Sequence, residues 1–155
     1  MKITTISVGK IKKNYTLEWE SELVKRISPY SRIEFIEVKE EPITPNKSLE
    51  IVKEKEAENI LNVIPKDSFL IALDPRSKEF TTEEFAQKFQ DLQLQNSHFT
   101  FIIGGPAGLH SGVLDKANIK LSFSQFTFTH QVMRILLLEQ LFRIFSILHN
   151  RPYHL

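Results

Sequence analysis

The 155-residue chain contains no cysteine. That excludes disulfide frameworks, zinc–thiolate sites and thiol nucleophiles together, and it fits a reducing compartment. No apolar run is long enough to cross a bilayer: the most apolar stretch, Ile135–Leu148, is broken by Glu139, Gln140 and Arg143. The opening MKITTISVGKIKKNY has too short an apolar run, and no small-residue cleavage site, to be a signal peptide. No two histidines have a metal-ligand spacing such as i,i+4 on a helix, so no metal is expected. What remains is a cytoplasmic protein of one domain over residues 1–155, long enough to bury roughly 70% of its unfolded surface.

Net charge is also nearly lacking, at +1, but it is unevenly placed. Residues 1–97 carry 15 Lys/Arg against 17 Asp/Glu, and residues 98–155 carry 5 against 2 together with all five histidines. Such an imbalance arises by chance in a short chain or marks a polyanion-facing or catalytic C-terminal part. A monomer this weakly charged would hold nucleic acid only weakly by charge alone.

Strands and helices alternate along the chain. Lys2–Val8 reads as a strand ending at Gly9. Asn14 caps a helix to about Ile27, and Ile33–Val38 is a second strand. A proline-bearing loop over 40–47 leads to Ser48, which opens a charged helix that stops before Pro65. Ser68–Leu73 is a buried-type strand, Thr81 or Thr82 caps a helix to about Leu94, and Phe99–Ile103 is the next strand. Lys120–Phe123 is a fifth strand, and a last helix runs from about His130 to Leu148. This order predicts a mostly parallel α/β sheet flanked by helices. Ligands in such sheets sit beyond the carboxyl ends of the strands. That places them near Leu73–Lys78, Gly104–Leu109 and the segment after Phe123.

Glycine is scarce, yet three of the five glycines fall within Gly104–Gly108. No Lys-Ser/Thr follows, so this is not a Walker loop, and its late position excludes a dinucleotide fingerprint. Adjacent glycines after a buried strand allow a ligand close to the backbone, or simply a tight turn. Asp74 either binds a ligand's polar group or opens an Asp-Pro turn. LSFSQFTFTHQ, from Leu121 to Gln131, is either a polar wrap for an adenosine, with Phe123, Phe126 and Phe128 as apolar walls, or an edge strand with an N-cap at Thr129. The last helix is apolar almost all round, which predicts burial on two sides, with a subunit interface as the second partner. Arg134 on it faces either an ion-pair partner or a phosphate. Tyr153 and His154 either end a loose tail or stack on a base and move a proton.

Four stretches together carry a resemblance: the opening MKITTISVGKIKKNY, FIIGGPAGLH, LSFSQFTFTHQVMRILLLEQLFRIF and the terminal N-x-PYH. They resemble, over the whole chain, the ribosomal large-subunit methyltransferase H family of the SPOUT class. The resemblance implies a C-terminal trefoil knot, a rare exception to unknotted connections, and a homodimer. It implies S-adenosyl-L-methionine as cofactor and 23S rRNA within assembled ribosomes as substrate, methylated at N3 of pseudouridine 1915 in helix 69. By position it places cofactor contacts on Leu73, Gly104, Phe123, Ser124, Gln125, Phe126, Thr127 and Phe128, and substrate or catalytic roles on His130, Arg134, Tyr153 and His154. The chain departs from the family pattern at Asp74, where relatives often carry Glu, and at Leu155, which ends a tail that is often basic. Two other readings stay open: a non-catalytic ribosome- or RNA-binding module on the same fold, and a different small nucleotide-binding protein.

Overall fold

The computed structural model describes residues 1–153. The elements are β1 (Lys2–Val8), α1 (Asn14–Ile27), β2 (Arg32–Val38), α2 (Leu49–Val63) and β3 (Phe69–Glu79). They continue with α3 (Thr82–Gln93), β4 (His98–Ile103), α4 (Ser111–Leu114), β5 (Ile119–Ser122) and α5 (His130–Leu148). The five strands form one sheet in the order β2-β1-β4-β3-β5, and every pairing is parallel.

Parallel strands covered on both faces must be apolar nearly throughout, and β1 and β4 are buried along almost their whole length. Two cores result. On one face Leu23 and Ile27 of α1, Phe85 and Phe89 of α3, and Leu138, Leu141 and Phe145 of α5 pack against Ile3, Ile71, Phe99 and Phe101. On the other, Ala57 and Ile60 of α2 and Val113 of α4 pack against Ile6, Ala72 and Ile102. Full burial of one such large aliphatic or Phe side chain contributes roughly 1.5–3 kcal/mol.

Helix starts follow local chemistry. Ser48 caps α2 by accepting from the Ile51 N–H, and Thr81 forms a reciprocal capping box with Glu84. Thr129 caps α5 by accepting from the Val132 N–H. Asn14 does not cap α1: the cap position is Lys13, without a side-chain hydrogen bond, and Asn14 is already helical. The Asp-Pro dipeptide does not end β3 either. The strand continues to Glu79, and its pairing with β5 slips between Leu73 and Lys78, so that both lie opposite Leu121. Pro75 falls inside that irregularity, where a missing N–H removes no ladder bond. The short helix α4 had no clear signal in the sequence, since four residues carry no readable period.

The apolar circumference of α5 is met largely within the chain. It lies between α1 and α3 and against the sheet, with Ile135, Leu137, Leu138, Leu141, Ile144 and Phe145 all buried. Val132 stays exposed. Among the described residues, no helix is long and apolar enough to cross a membrane.

Candidate cofactor cleft

Three strand ends converge. β3 ends its regular pairing at Leu73, β4 stops at Ile103, and β5 stops at Ser122. The segments beyond these three ends line a single cleft. Leu73, Asp74 and Pro75 form one side, Gly104, Gly105, Pro106, Gly108 and Leu109 a second, and Phe123, Ser124, Phe126, Thr127 and Phe128 the third. Its volume of about 140 Å³ far exceeds the roughly 15 Å³ that one water needs. All three places expected from the carboxyl-end rule therefore belong to one site.

The glycine turn is built for close approach. Gly108 donates its N–H to the Gly105 carbonyl at 2.9 Å and sits at φ +83°, a region that favours glycine. A Cβ at Gly104 would lie 3.1 Å from the Gly108 carbonyl carbon and from the Leu109 side chain. The turn folds back on Gly104 closely enough that any side chain there would press on Gly108 and Leu109.

The third wall is held by hydroxyls instead of strand pairing. The Ser122 hydroxyl lies 3.1 Å from the Ser124 carbonyl and 3.3 Å from the Pro75 carbonyl, and the Phe126 N–H donates to Ser124 Oγ at 3.0 Å. These local bonds replace a ladder and tie the segment to the β3 irregularity. Phe126 lines the cleft and is 80% exposed. Asp74 is buried, and its carboxylate accepts from Ser77 Oγ at 3.1 Å and pairs with Arg76 Nε at 3.5 Å. It both lines the cleft and braces its own bulge.

Of the residues expected to contact a cofactor, Leu73, Gly104, Phe123, Ser124, Phe126, Thr127 and Phe128 come together here. Gln125 does not; it points to a separate shallow opening beside Arg76 and Ser77. Gly105 and Met133 also line the cleft and were not singled out from the sequence. Met133 could have been found, since it lies one turn into α5 behind the Thr129 cap.

Three further candidates, His130, Arg134 and Tyr153, do not line this cleft. His130 opens α5 and turns toward Gly9: its Nε2 is buried without a hydrogen-bond partner, and a Cβ on Gly9 would meet it at 2.8 Å. Arg134 is only 4% exposed. It donates from Nη1 to Glu37 Oε1 at 2.7 Å and from Nη2 to Glu20 Oε1 at 2.9 Å, and stacks 4.2 Å from the Phe35 ring centre. Between its two readings, the chain itself supplies ion-pair partners. Tyr153 folds back on α5, donating to Glu139 Oε1 at 3.1 Å with its ring 4.5 Å from that of Phe142. His154 lies outside the described residues.

The remaining histidines have structural partners. His98 Nε2 is 2.8 Å from Thr4 Oγ1, and burial, aided by Lys2, holds its pKa below the ordinary value. His110 accepts the Gly112 N–H on Nδ1 at 3.0 Å and faces Glu50 through Nε2 at 3.1 Å. With Glu54 these bring three possible metal-ligand atoms within 4.8 Å of one another. Glu50 and Glu54 of that group are exposed.

A ligand such as an adenosine fits the cleft by its chemistry: bare backbone at Gly104–Gly108, small hydroxyls at Ser124 and Thr127, and apolar walls at Leu109, Phe123 and Phe128. The family model described as "Predicted SPOUT methyltransferase" matches residues 1–154. The chain is 49% identical to the ribosomal RNA large subunit methyltransferase H of Halothermothrix orenii, over 99% of both chains. It is 47% identical to the protein of that name from Carboxydothermus hydrogenoformans, again over 99% of both. A solved structure of a probable methylase family protein from Haemophilus influenzae shares the fold, with TM-score 0.55 at 16% identity, covering 98% of this chain and 69% of that one. The chain belongs to the SPOUT methyltransferases, and within them to the ribosomal RNA large subunit methyltransferase H family.

Proposed function

We propose that the protein transfers a methyl group from S-adenosyl-L-methionine to N3 of pseudouridine 1915, in helix 69 of 23S rRNA, on assembled ribosomes. The observation that carries this is the meeting of the glycine turn with the Phe123–Phe128 segment in one cleft. Leu73, Gly104, Ser124, Phe126, Thr127 and Phe128 would hold the cofactor there, with Gln125 at its margin. When bound, that cofactor supplies an electrophilic methyl group. The protein's own task is then to align an acceptor nitrogen with it and to remove the proton that nitrogen carries. His130, with its unpartnered Nε2, and His154 are the candidates for that proton. Arg134 would act by fixing α5, and Tyr153 by presenting the tail.

The rest of the reading comes from family membership. The protein would act as a cytoplasmic homodimer of single-domain subunits, each with its C-terminal part threaded as a trefoil knot. A dimer that docks by shape on a ribosome needs little net charge, consistent with the value of +1. Calorimetry with S-adenosylmethionine and with ATP tests the cofactor assignment. Binding of S-adenosylmethionine alone is expected. Binding of neither would favour a non-catalytic ribosome-binding module, and binding of ATP alone another nucleotide-binding protein.

A further inference from the structure

In this sheet the chain leaves β1 toward the α1 face and leaves β4 toward the α4 face. Such a reversal opens a crevice between the two strand ends, the usual ligand position in open α/β sheets. Here the candidate cleft lies on the other side of β4. The last paired residues of these two strands are Ser7 and Ile103, two residues short of Gly9 and Gly105. The group packed against Gly105 there is Glu56 of α2.

Glu56 is only 2% exposed. Its Oε1 accepts the backbone N–H of Glu41 at 3.0 Å, and its Oε2 is buried without a partner. A Cβ on Gly105 would lie 3.0 Å from Oε2, 3.1 Å from Oε1 and 2.9 Å from Val8 Cγ1. The carboxyl therefore touches one side of Gly105 while the same residue lines the cleft. A buried carboxyl oxygen with no partner costs stability, and an apolar side chain of similar size would avoid that cost. Something other than folding accounts better for it.

We propose that Glu56 is a positioning residue for methyl transfer: its carboxyl, tethered to the Glu41 N–H and wedged behind Gly105, sets the shape of the Gly104–Gly108 turn. This rests on the cofactor reading of the cleft. Burial raises the Glu56 pKa, and the neighbouring Glu40 and Glu41 push it the same way against the Glu41 N–H bond. An amide of the same length keeps the reach of the carboxyl and its acceptor oxygen, and the wedge behind Gly105 depends on that reach.

The test uses the full chain, Glu56→Gln and Glu56→Asp. Each is assayed for S-adenosylmethionine affinity by calorimetry and for methyl transfer to unmodified ribosomes at limiting and saturating cofactor. Glu56→Gln keeps the shape and the acceptor, and its Kd should stay within about threefold of the parent. Glu56→Asp withdraws the carboxyl by one methylene. Displacements near 1 Å are costly in such sites, so its Kd and cofactor KM should rise about tenfold or more while kcat at saturation stays within about twofold. Parent-like binding by Glu56→Asp would overturn the positioning role, as would equal loss in both variants, or a fall in kcat at unchanged KM. A parent that binds no S-adenosylmethionine would instead overturn the cofactor reading itself, and this role with it.

Discussion

Arg134 Nη2 donates to Glu20 Oε1 at 2.9 Å, and this bond joins the first helix of the chain to the last. Glu37 on β2 takes the other guanidinium nitrogen at 2.7 Å. Both Arg134 and Glu20 are buried, and removing one partner of such a pair leaves the other uncompensated. Arg134→Leu is therefore expected to lower unfolding free energy by about 3–5 kcal/mol, read from urea titration. An Arg134 that instead served a phosphate would lose RNA binding with stability intact.

Gly104→Val should abolish S-adenosylmethionine binding. A Cβ there already lies 3.1 Å from the Gly108 carbonyl carbon and from Leu109, and the two further methyls of Val add bulk at the wall of the cleft. The sheet beneath it is unaffected, and the far-ultraviolet circular dichroism should match the parent. Normal cofactor affinity in this variant would reduce the loop to a connection between β4 and α4.

Stability should respond to pH through Glu56. Burial raises its pKa in the folded state above the ordinary 4.5. The folded state then binds more protons than the unfolded one between those two values, so stability falls as pH rises through that window. Glu56→Gln removes this contribution. Relative to the parent, this variant should be more stable at pH 8 than at pH 4.5. Glu20 is raised by burial in the same direction, despite Arg134, so the variant keeps some slope. A difference between variant and parent that did not change with pH would contradict the assignment.

Tyr153 tests the tail. Its hydroxyl bonds only to Glu139 among the described residues, and the side chain is 36% exposed. Tyr153→Phe should change stability by under about 1 kcal/mol while slowing methyl transfer on ribosomes. A stability change without a kinetic one would make the tail a latch on α5.

Much of the architecture was legible because periodicity and caps are local. Ser48, Thr81 and Thr129 cap the helices they were expected to cap, and β1 and α5 end where their patterns end. Long-range pairing was not legible. Nothing near Asp74 announces that β3 resumes on β5 after Pro75, because that depends on Leu121, nearly fifty residues away. The cleft was readable as three strand ends and as motifs of a known family. Gln125, placed with the cofactor contacts by the resemblance, lines a neighbouring opening instead of the cleft, and no local pattern fixes which way a side chain points along an irregular segment. Glu56 was invisible: in a helix dense with Glu and Lys, sequence gives no sign that one carboxyl is buried against a glycine turn while its neighbours face water.

The central claim is that the Gly104–Phe128 cleft delivers a methyl group to ribosomal RNA. The direct measurement adds labelled S-adenosylmethionine and the protein to ribosomes lacking the modification, then locates the label. The account predicts label at a single pseudouridine of helix 69 in 23S rRNA, and none with Gly104→Val. Label elsewhere, or no label although the parent binds the cofactor, would contradict it.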